Sequence, residues 1–322
     1  MLGNYHYFLA LAEEENISRA AEKLYISHQC LSKYLKNLEE AYHVTLFERS
    51  PKLTLTHAGQ IYLDTVRKVQ LLEANLENQM EDICKSRRGI LRFGTTEGRY
   101  RILVPDLLSR FRQIYPDVIL DMQYSSSSRQ LNELVAENKL DIVLLNQSDI
   151  LHPQLESQLV LEEQFYLVVS DGMLKTYFPT RYPNCKAEFA QGVDLAQFQH
   201  VPFVLSKPGL HSRQLLDEYL QNRGLTLKCV MEMTQLDLHS MMTARDYAAS
   251  FCWSMYLPTI RQMNQLAQGS RLNVFPLKGK EIRNQLVLVN RKGKIFPEYG
   301  RELIRQIRLE CACFADPNLE KI

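Results

Sequence analysis

The chain has 322 residues, with 38 Lys and Arg against 37 Asp and Glu and a formal net charge of +1. That length exceeds what one hydrophobic core fills and suits two or three domains, and 45% hydrophobic with 23% charged residues is the make-up of a soluble globular protein. The balance excludes a histone-like polycation and an acidic disordered tail, while nucleic-acid binding stays open because a basic face can be cancelled elsewhere in the chain. Placement is more informative than the sum. Residues 1–57 carry 6 basic and 7 acidic side chains, yet Asn16–Leu38 holds Arg19, Lys23, Lys33 and Lys36 against Glu22 alone. The most acidic stretch is 90–163, with 7 basic and 11 acidic residues.

The opening residues turn acidic at Glu13–Glu15 and lack the basic start of a signal peptide. No apolar run approaches the ~18 residues of a membrane span, so a cytoplasmic protein without membrane contact is expected. The seven cysteines, at 30, 84, 185, 229, 252, 311 and 313, match no zinc spacing. Cys311 and Cys313 sit two apart, a poor chelate on a helix. Reduced thiols and no metal are the expectation. Cys252, beside Trp253 in an apolar stretch, reads as core; a redox sensor is the alternative.

Taken in order, Leu2, Tyr5, Phe8, Leu9 and Ala12 recur at helical spacing, which predicts a helix ending near Asn16. Ser18 reads as the N-cap of Arg19–Leu24, with Glu22 close to the capping-box position. After Tyr25 and Ile26, Ser27 caps a third helix to about Glu40. The short connection makes a helix-turn-helix. At 100° per residue, Leu31, Leu35 and Leu38 fall within about 60° and form the buried stripe. Gln29, Ser32, Lys33 and Lys36 lie opposite, and His28 flanks them near the helix start. A face of amides, hydroxyls and ammonium groups suits the major groove; an ordinary solvated face is the bland reading. Thr45–Glu48 and Leu53–Leu55 read as strands of a wing whose tip carries Arg49 and Lys52 toward phosphates.

Thr56 caps a long helix through about Lys85. Its Tyr62, Val69, Leu76 and Ile83 are spaced by seven, with Leu72 between. Such a seam points to pairing with another chain or to burial against its own domain. Residues 84–90 then form a polar, basic hinge. Beyond it Ile90–Gly94, Val118–Gln123 and Leu140–Leu145 read as strands alternating with helices at 102–115 and after Ser125–Ser128. This β-α-β-α-β order predicts a parallel sheet flanked by helices.

The ordered run Ser18-Arg19-Ala20-Ala21-Glu22-Lys23-Leu24, then Ser27, Leu31-Ser32, Leu38-Glu39-Glu40, Leu46-Phe47-Glu48-Arg49 and Leu55-Thr56-x-Ala58-Gly59, resembles the N-terminal domain of LysR-type transcriptional regulators. It covers about sixty residues without a gap. The remainder resembles the family's effector domain more loosely, through element order and the Tyr-Pro-Asp and Leu-Asp-Ile landmarks. His28-Gln29-Cys30 stands where members often have Gln-Pro-Ala, so the base-edge donors differ and the operator is not carried over.

The resemblance implies an α+β multidomain chain: a winged helix-turn-helix (1–57), a linker and dimerisation helix with hinge (58–89), and a two-lobed α/β periplasmic-binding-protein-like effector domain (90–322). Its first lobe would be 90–161 with 268–322 and its second 162–267. The 161–169 strand would cross into the second lobe, Pro202–Leu205 and Lys228–Met233 would be its further strands, and Leu272–Pro276 and Gln285–Asn290 would return to the first. Residues 176–192 read as a surface insertion. Near the end of the second lobe Asp246 can hold a left-handed turn, while Ala248 stands where the family pattern has glycine.

The implied partners are double-stranded DNA, a small organic effector in the crevice between lobes, and a second copy of the chain, with a dimer of dimers implied by the resemblance. RNA polymerase is a further partner open to such a regulator. DNA would meet Ser27, His28, Gln29, Ser32, Lys33, Lys36, Arg49 and Lys52. Tyr62, Val69, Leu72, Leu76 and Ile83 would pair the helices. Hydroxyl-rich strand ends and helix starts supply Thr95, Thr96, Glu97, Ser125, Ser126, His211 and Ser212 for the effector. Glu97 would repel an anion unless Arg99 or Arg101 pairs with it, which brings an amino-bearing effector into view. Ser126 or Ser212 with His211 could be imagined as a catalytic pair, but no nucleophile elbow or phosphate loop surrounds them. No enzyme is expected, and an exported solute-binding protein lacks its signal.

Overall fold

The structure is a computed structural model that describes residues 4–50, 52–84, 88–125, 127–267, 269–279 and 282–315. It forms two units, residues 1–86 with 293–297 and residues 87–292 with 298–322.

The first unit is built on α1 (Tyr5–Glu14), α2 (Ile17–Lys23) and α3 (His28–Tyr42). A wing of β1 (Phe47–Glu48) and β2 (Thr54–Leu55) follows, then the 27-residue α4 (His57–Ile83). The N-cap of α2 is Asn16, whose side chain accepts from the Arg19 N–H at 3.1 Å. Ser18, expected in that role, lies inside the helix; Asn16 intercepts the free first-turn N–H two residues earlier. Ser27 caps α3 and Thr56 caps α4 as expected. Gly59 is required where α4 starts against the wing, since a Cβ there would stand 2.1 Å from the Leu46 carbonyl oxygen.

Phe8, Leu11, Leu31, Leu35, Phe47, Leu63 and Val66 form the core of this unit. Tyr62 belongs to it, only 7% exposed, with its ring 4.6 Å from that of Phe8. Its assignment to a dimer seam is therefore corrected: the start of α4 completes the winged-helix core, and position 62 faces inward. The apolar residues that α4 leaves exposed are Ile61, Leu72, Leu76, Met80 and Ile83, with Val69 half-buried. The 293–297 segment joins α4 through the buried Asn75 side chain, which donates to the Gly293 carbonyl and accepts from the Ile295 N–H, both at 2.8 Å.

The second unit opens with β3 (Gly89–Thr96), α5 (Glu97–Ile114), β4 (Val118–Ser125), α6 (Ser128–Ala136) and β5 (Ile142–Asn146). Strand β3 lies parallel between β4 and β5, as the alternation predicted. The long β6 (Leu155–Ser170) follows. Next come α7 (Asp171–Tyr177), α8 (Cys185–Ala190), β7 (Pro202–Ser206), α9 (His211–Gln221), β8 (Lys228–Met233), α10 (Leu236–Thr243), β9 (Ser250–Trp253) and α11 (Leu257–Gln265). Finally β10 (Leu272–Pro276), β11 (Arg283–Arg291) and α12 (Glu298–Ala312) close the chain's described part.

Strand β6 serves both lobes. Its 155–164 half pairs antiparallel with β11, whose other edge pairs with β5, while its 165–170 half runs between β10 and β9. Hence β10, expected back in the first lobe, belongs to the second, and the return crossing falls between Pro276 and Arg283. Leu272–Phe275 alternates like β11, so pattern alone could not say which half of β6 it would meet. The 176–192 stretch is likewise corrected from surface insertion to second-lobe core. Phe178, Cys185 and Phe189 are buried, and the Phe189 ring lies 5.1 Å from Phe198 and 5.5 Å from Phe275. Asp246 does take a left-handed φ of +60°, its carboxylate accepting from the hydroxyls of Ser170 and Ser270.

Candidate functional site

On α3 the leucines at 31, 35 and 38 are buried, which turns His28, Gln29, Lys33 and Lys36 to solvent and leaves Ser32 half-buried. Ser27 Oγ accepts from the Cys30 N–H at 3.1 Å, so its hydroxyl oxygen is engaged at the helix start. The far end of the same helix holds the wing: Glu39 Oε1 accepts from the N–H groups of Leu46 and Phe47, and Oε2 from Arg49 Nη2 at 3.1 Å. Arg49 thus fixes the wing while its side chain stays 55% exposed. Lys52 is exposed on the wing.

The local basic excess is smaller than the sequence count. Arg19 pairs with Glu14 at 2.8 Å, and Lys23 with Glu13 at 2.7 Å and Glu14 at 3.0 Å. The hydrogen bond to Glu13 raises the Lys23 pKa and holds it charged. Lys33 and Lys36 remain on the reading face, with Lys36 3.6 Å from Glu40. One exposed residue escaped sequence reading: Tyr25, in the turn before α3, has φ +55° and is 96% exposed.

In the second unit a cleft of about 140 Å³ opens between the lobes. First-lobe lining comes from Thr96–Arg99 and Arg101 at the start of α5, Ser128 on α6, and Asn146 and Asp149 after β5. Second-lobe lining comes from Leu210–Ser212 at the start of α9, Thr234–Asp237 at the start of α10, and Trp253 and Tyr256. Of the expected residues, Thr96, Glu97, His211 and Ser212 meet there. Thr95 does not, because its hydroxyl turns into the sheet and donates to the Leu144 carbonyl at 3.1 Å. Ser125 does not line it either; its Oγ accepts from the Ser127 N–H and donates to Gln130. Ser126 lies outside the described residues.

Behind the lining is a buried polar network. Arg99 Nη2 donates to Asn146 Oδ1 at 2.6 Å and to Glu163 Oε2 at 3.1 Å. Asn284 Nδ2 donates to the same two oxygens, each at 2.8 Å. Across the cleft, His211 Nε2 meets Asn284 Oδ1 at 3.1 Å, and the His211 ring stacks on Trp253. Burial lowers the His211 pKa, so the ring is neutral near pH 7. Arg101 also spans the lobes, bonding Glu97 Oε1 at 3.1 Å and Asp237 Oδ2 at 2.5 Å. It is therefore Arg101 that neutralises Glu97, whereas Arg99 serves Glu163. Tyr256 sits tight against α5, where a Cβ on Gly98 would stand 2.1 Å from its hydroxyl. Ser212 Oγ donates to Ser206 Oγ at 2.9 Å, and His211 bonds elsewhere, so the imagined nucleophile and base are not joined.

Sequence reading missed Asn146, Asp149, Glu163, Asp237, Trp253, Tyr256 and Asn284; apart from Asp237 at the start of α10, they sit on strands or turns whose approach to the cleft depends on β6 serving both lobes. An Asn or Asp just past a buried strand, as at Asn146 and Asp149, was the one usable local signal.

A winged helix-turn-helix in the same chain as a two-lobed domain with a polar interlobe cleft defines a ligand-responsive DNA-binding regulator. Residues 2–60 match the model for the bacterial regulatory helix-turn-helix protein of the lysR family, and residues 85–312 match that for the LysR substrate binding domain. The chain belongs to the LysR family: it is a transcriptional regulator with a DNA-binding helix-turn-helix and an effector-binding domain. It is 26% identical over 302 residues to a probable RuBisCO transcriptional regulator of Synechocystis sp., spanning 92% of this chain and 83% of that protein. It is also 26% identical over 235 residues to the HTH-type transcriptional activator CmpR of Synechocystis sp., spanning 72% of each. In fold it is similar to full-length OxyR from Pseudomonas aeruginosa (TM-score 0.68, 20% identity, 96% of this chain and 98% of that one). It is likewise similar to full-length CbnR complexed with its target DNA (TM-score 0.53, 18% identity, 96% and 99% covered). Among the described residues no helix is long and apolar enough to cross a membrane.

Proposed function

We propose that α3 reads operator DNA in the major groove and that a small organic molecule in the interlobe cleft controls the consequence of binding. The carrying observation is the α3 face, where Gln29, His28 and Lys33 stand exposed opposite the buried Leu31, Leu35 and Leu38. Gln29 offers a paired amide donor and acceptor to a base edge, and Lys33 and Lys36 supply cationic donors. Arg49 and Lys52 on the wing contribute phosphate contacts and set register. Gel shifts on the promoter beside the gene test this with Gln29→Ala and Lys33→Ala. Altered sequence preference is expected, and unchanged preference in both variants removes this face from the reading role.

Self-association runs through α4, along Leu72, Leu76 and Ile83 with Val69, and with Ile61 in place of Tyr62. Four large apolar side chains, each more than half exposed at Ile61, Leu72, Leu76 and Ile83, support a partner helix. Leu72→Glu with Leu76→Glu is expected to halve the particle mass in sedimentation. A dimer of dimers, and contact with RNA polymerase once DNA is bound, complete the reading, in a cytoplasmic protein that needs no cofactor beyond its effector. Catalysis is not part of the reading, because Ser212 and His211 have separate partners.

The effector acts on the lobe-to-lobe contacts. Arg101–Asp237 and His211–Asn284 both bridge the lobes, so a ligand that competes for or adds to them shifts the balance between open and closed forms.

A further inference from the structure

We infer that the effector carries both a protonated amine and a carboxylate, as an amino acid or a close analogue does. This rests on the cleft being the effector site. The charges within the cleft do not cancel. Glu97, Asp149 and Asp237 line it together with Arg99 and Arg101. Arg99 is closed onto Glu163, which is fully buried. Arg101 is shared between Glu97 and Asp237, so one guanidinium serves two carboxylates.

Asp149 is the distinctive group. Its Oδ2 accepts from Ser128 Oγ and from Asn146 Nδ2, each at 2.7 Å. Both donors are neutral, and no ion pair to Asp149 occurs among the described residues. His211, the one titratable base beside it, is kept neutral by its own burial. Asp149 is therefore a pre-oriented carboxylate without a cation, facing the same space as a rim that is already acidic. Behind that space, Glu163 Oε1 is buried without a hydrogen-bond donor, so the network has acceptor capacity to spare. An incoming ammonium group is the natural complement.

The start of α9 brings the opposite polarity into the same cleft. Helices α5, α9 and α10, of 18, 11 and 8 residues, all begin on the cleft, but α5 and α10 carry Glu97 and Asp237 in their first turns, whereas α9 has no acidic residue there. Their N-caps, Thr96, Leu210 and Gln235, make no side-chain cap hydrogen bond. The uncapped first-turn N–H groups of α9, free of a neighbouring acid on their own helix, are thus where a carboxylate would be held. A plain organic acid would satisfy these and be repelled by Asp149; a plain amine would do the reverse. A molecule with both groups satisfies both Asp149 and the start of α9, and the small cleft volume limits it to a compact side chain against Trp253 and Leu236.

The test uses the full chain and its single tryptophan, Trp253, which lines the cleft and reports binding by fluorescence. The probes are matched sets: each common amino acid, its deaminated acid and its decarboxylated amine. At least one amino acid is expected to change the emission and to bind tenfold or more tighter than both truncated partners. Asp149→Asn, which is nearly isosteric, is expected to weaken that amino acid at least tenfold and leave the matched acid unchanged or improved. The proposal is overturned if deaminated acids bind as well as amino acids, if no amino acid binds, or if Asp149→Asn leaves amino-acid affinity intact. An acid that binds alone and alters DNA affinity would leave the effector cleft standing while removing the amine. Silence of both emission and DNA affinity toward these probes and toward whole-cell metabolite extract would instead remove the cleft as the effector site.

Discussion

The recognition helix and the effector cleft both depend on charged and amide side chains, but they hold them in opposite ways. On α3, Lys33 and Lys36 stand in solvent and Gln29 is exposed, so their chemistry is available to a partner as it stands. In the cleft, Arg99 is 8% exposed and locked to a fully buried Glu163, and Arg101 is divided between two acids. A reading surface can lose one such side chain at little cost to folding. A sensing cleft cannot, because its cations are also structural. The lesson is that mutational effects on binding and on stability should separate cleanly in the first unit and mix in the second.

Four experiments can break or sharpen that contrast. The largest effect is expected for Arg99→Met, which leaves Glu163 buried without its cation and should cost about 3–5 kcal/mol. Denaturant unfolding measures it, and Arg99→Met with Glu163→Leu should recover most of the loss. A cost near zero would mean that the pair does not stabilise the first lobe.

Next is pH. Burial lowers the His239 pKa to about 4, below the ~6.5 of an unfolded histidine. The native state then binds fewer protons than the unfolded state between those values. Stability is fully present above pH 6.5 and falls as pH drops toward 4, by about 3 kcal/mol at the lower end. His239→Gln should flatten that slope in thermal melts at pH 4 to 7, and an unchanged slope would assign it to other groups.

Third, Gln29→Ala should cost about 1–3 kcal/mol of DNA affinity, concentrated at one base pair. Lys33→Ala should weaken all sequences alike and lower the salt slope by about one. Neither should move the unfolding midpoint by more than about 0.5 kcal/mol; a larger shift would blur the contrast. The smallest effect concerns capping. Asn16→Ala should cost about 1 kcal/mol and Ser18→Ala roughly half that or less.

Much of the first unit was legible because its signals are local. Leu31, Leu35 and Leu38 repeat at helical spacing, Ser27 and Thr56 cap the helices that follow them, and those features fix which face of α3 meets solvent. The misreadings there are shifts of one or two positions: Asn16 for Ser18, and Ile61 for Tyr62. Seven-residue spacing selects 62, since steps of seven from 61 land on Lys68, Asn75 and Asp82, and it carries no sign that the first turns of α4 are completing a core. In the second unit the alternation of strands and helices was legible, and so was the parallel order of β3, β4 and β5. Its cleft was less so. Thr96, Glu97, His211 and Ser212 stand at helix starts and could be found, whereas Asn284 and Glu163 owe their place to pairing between strands more than a hundred residues apart in sequence. Phe178 and Phe189 were hidden because their Pro- and Tyr-rich surroundings look like loop, while their rings meet Phe198 and Phe275 only after the second lobe closes.

The position of β11 has a consequence for synthesis. It is the last strand among the described residues, yet it lies between β5 and β6 in the first-lobe sheet, and it carries Asn284. A chain leaving the ribosome has the core of its reading head, Phe8 to Val66, in hand early. The first-lobe sheet stays split, with β5 and β6 unjoined, until Arg283–Arg291 emerges. A transcript cut short between Val66 and Arg283 would therefore yield the core of a reading head and no finished sensor.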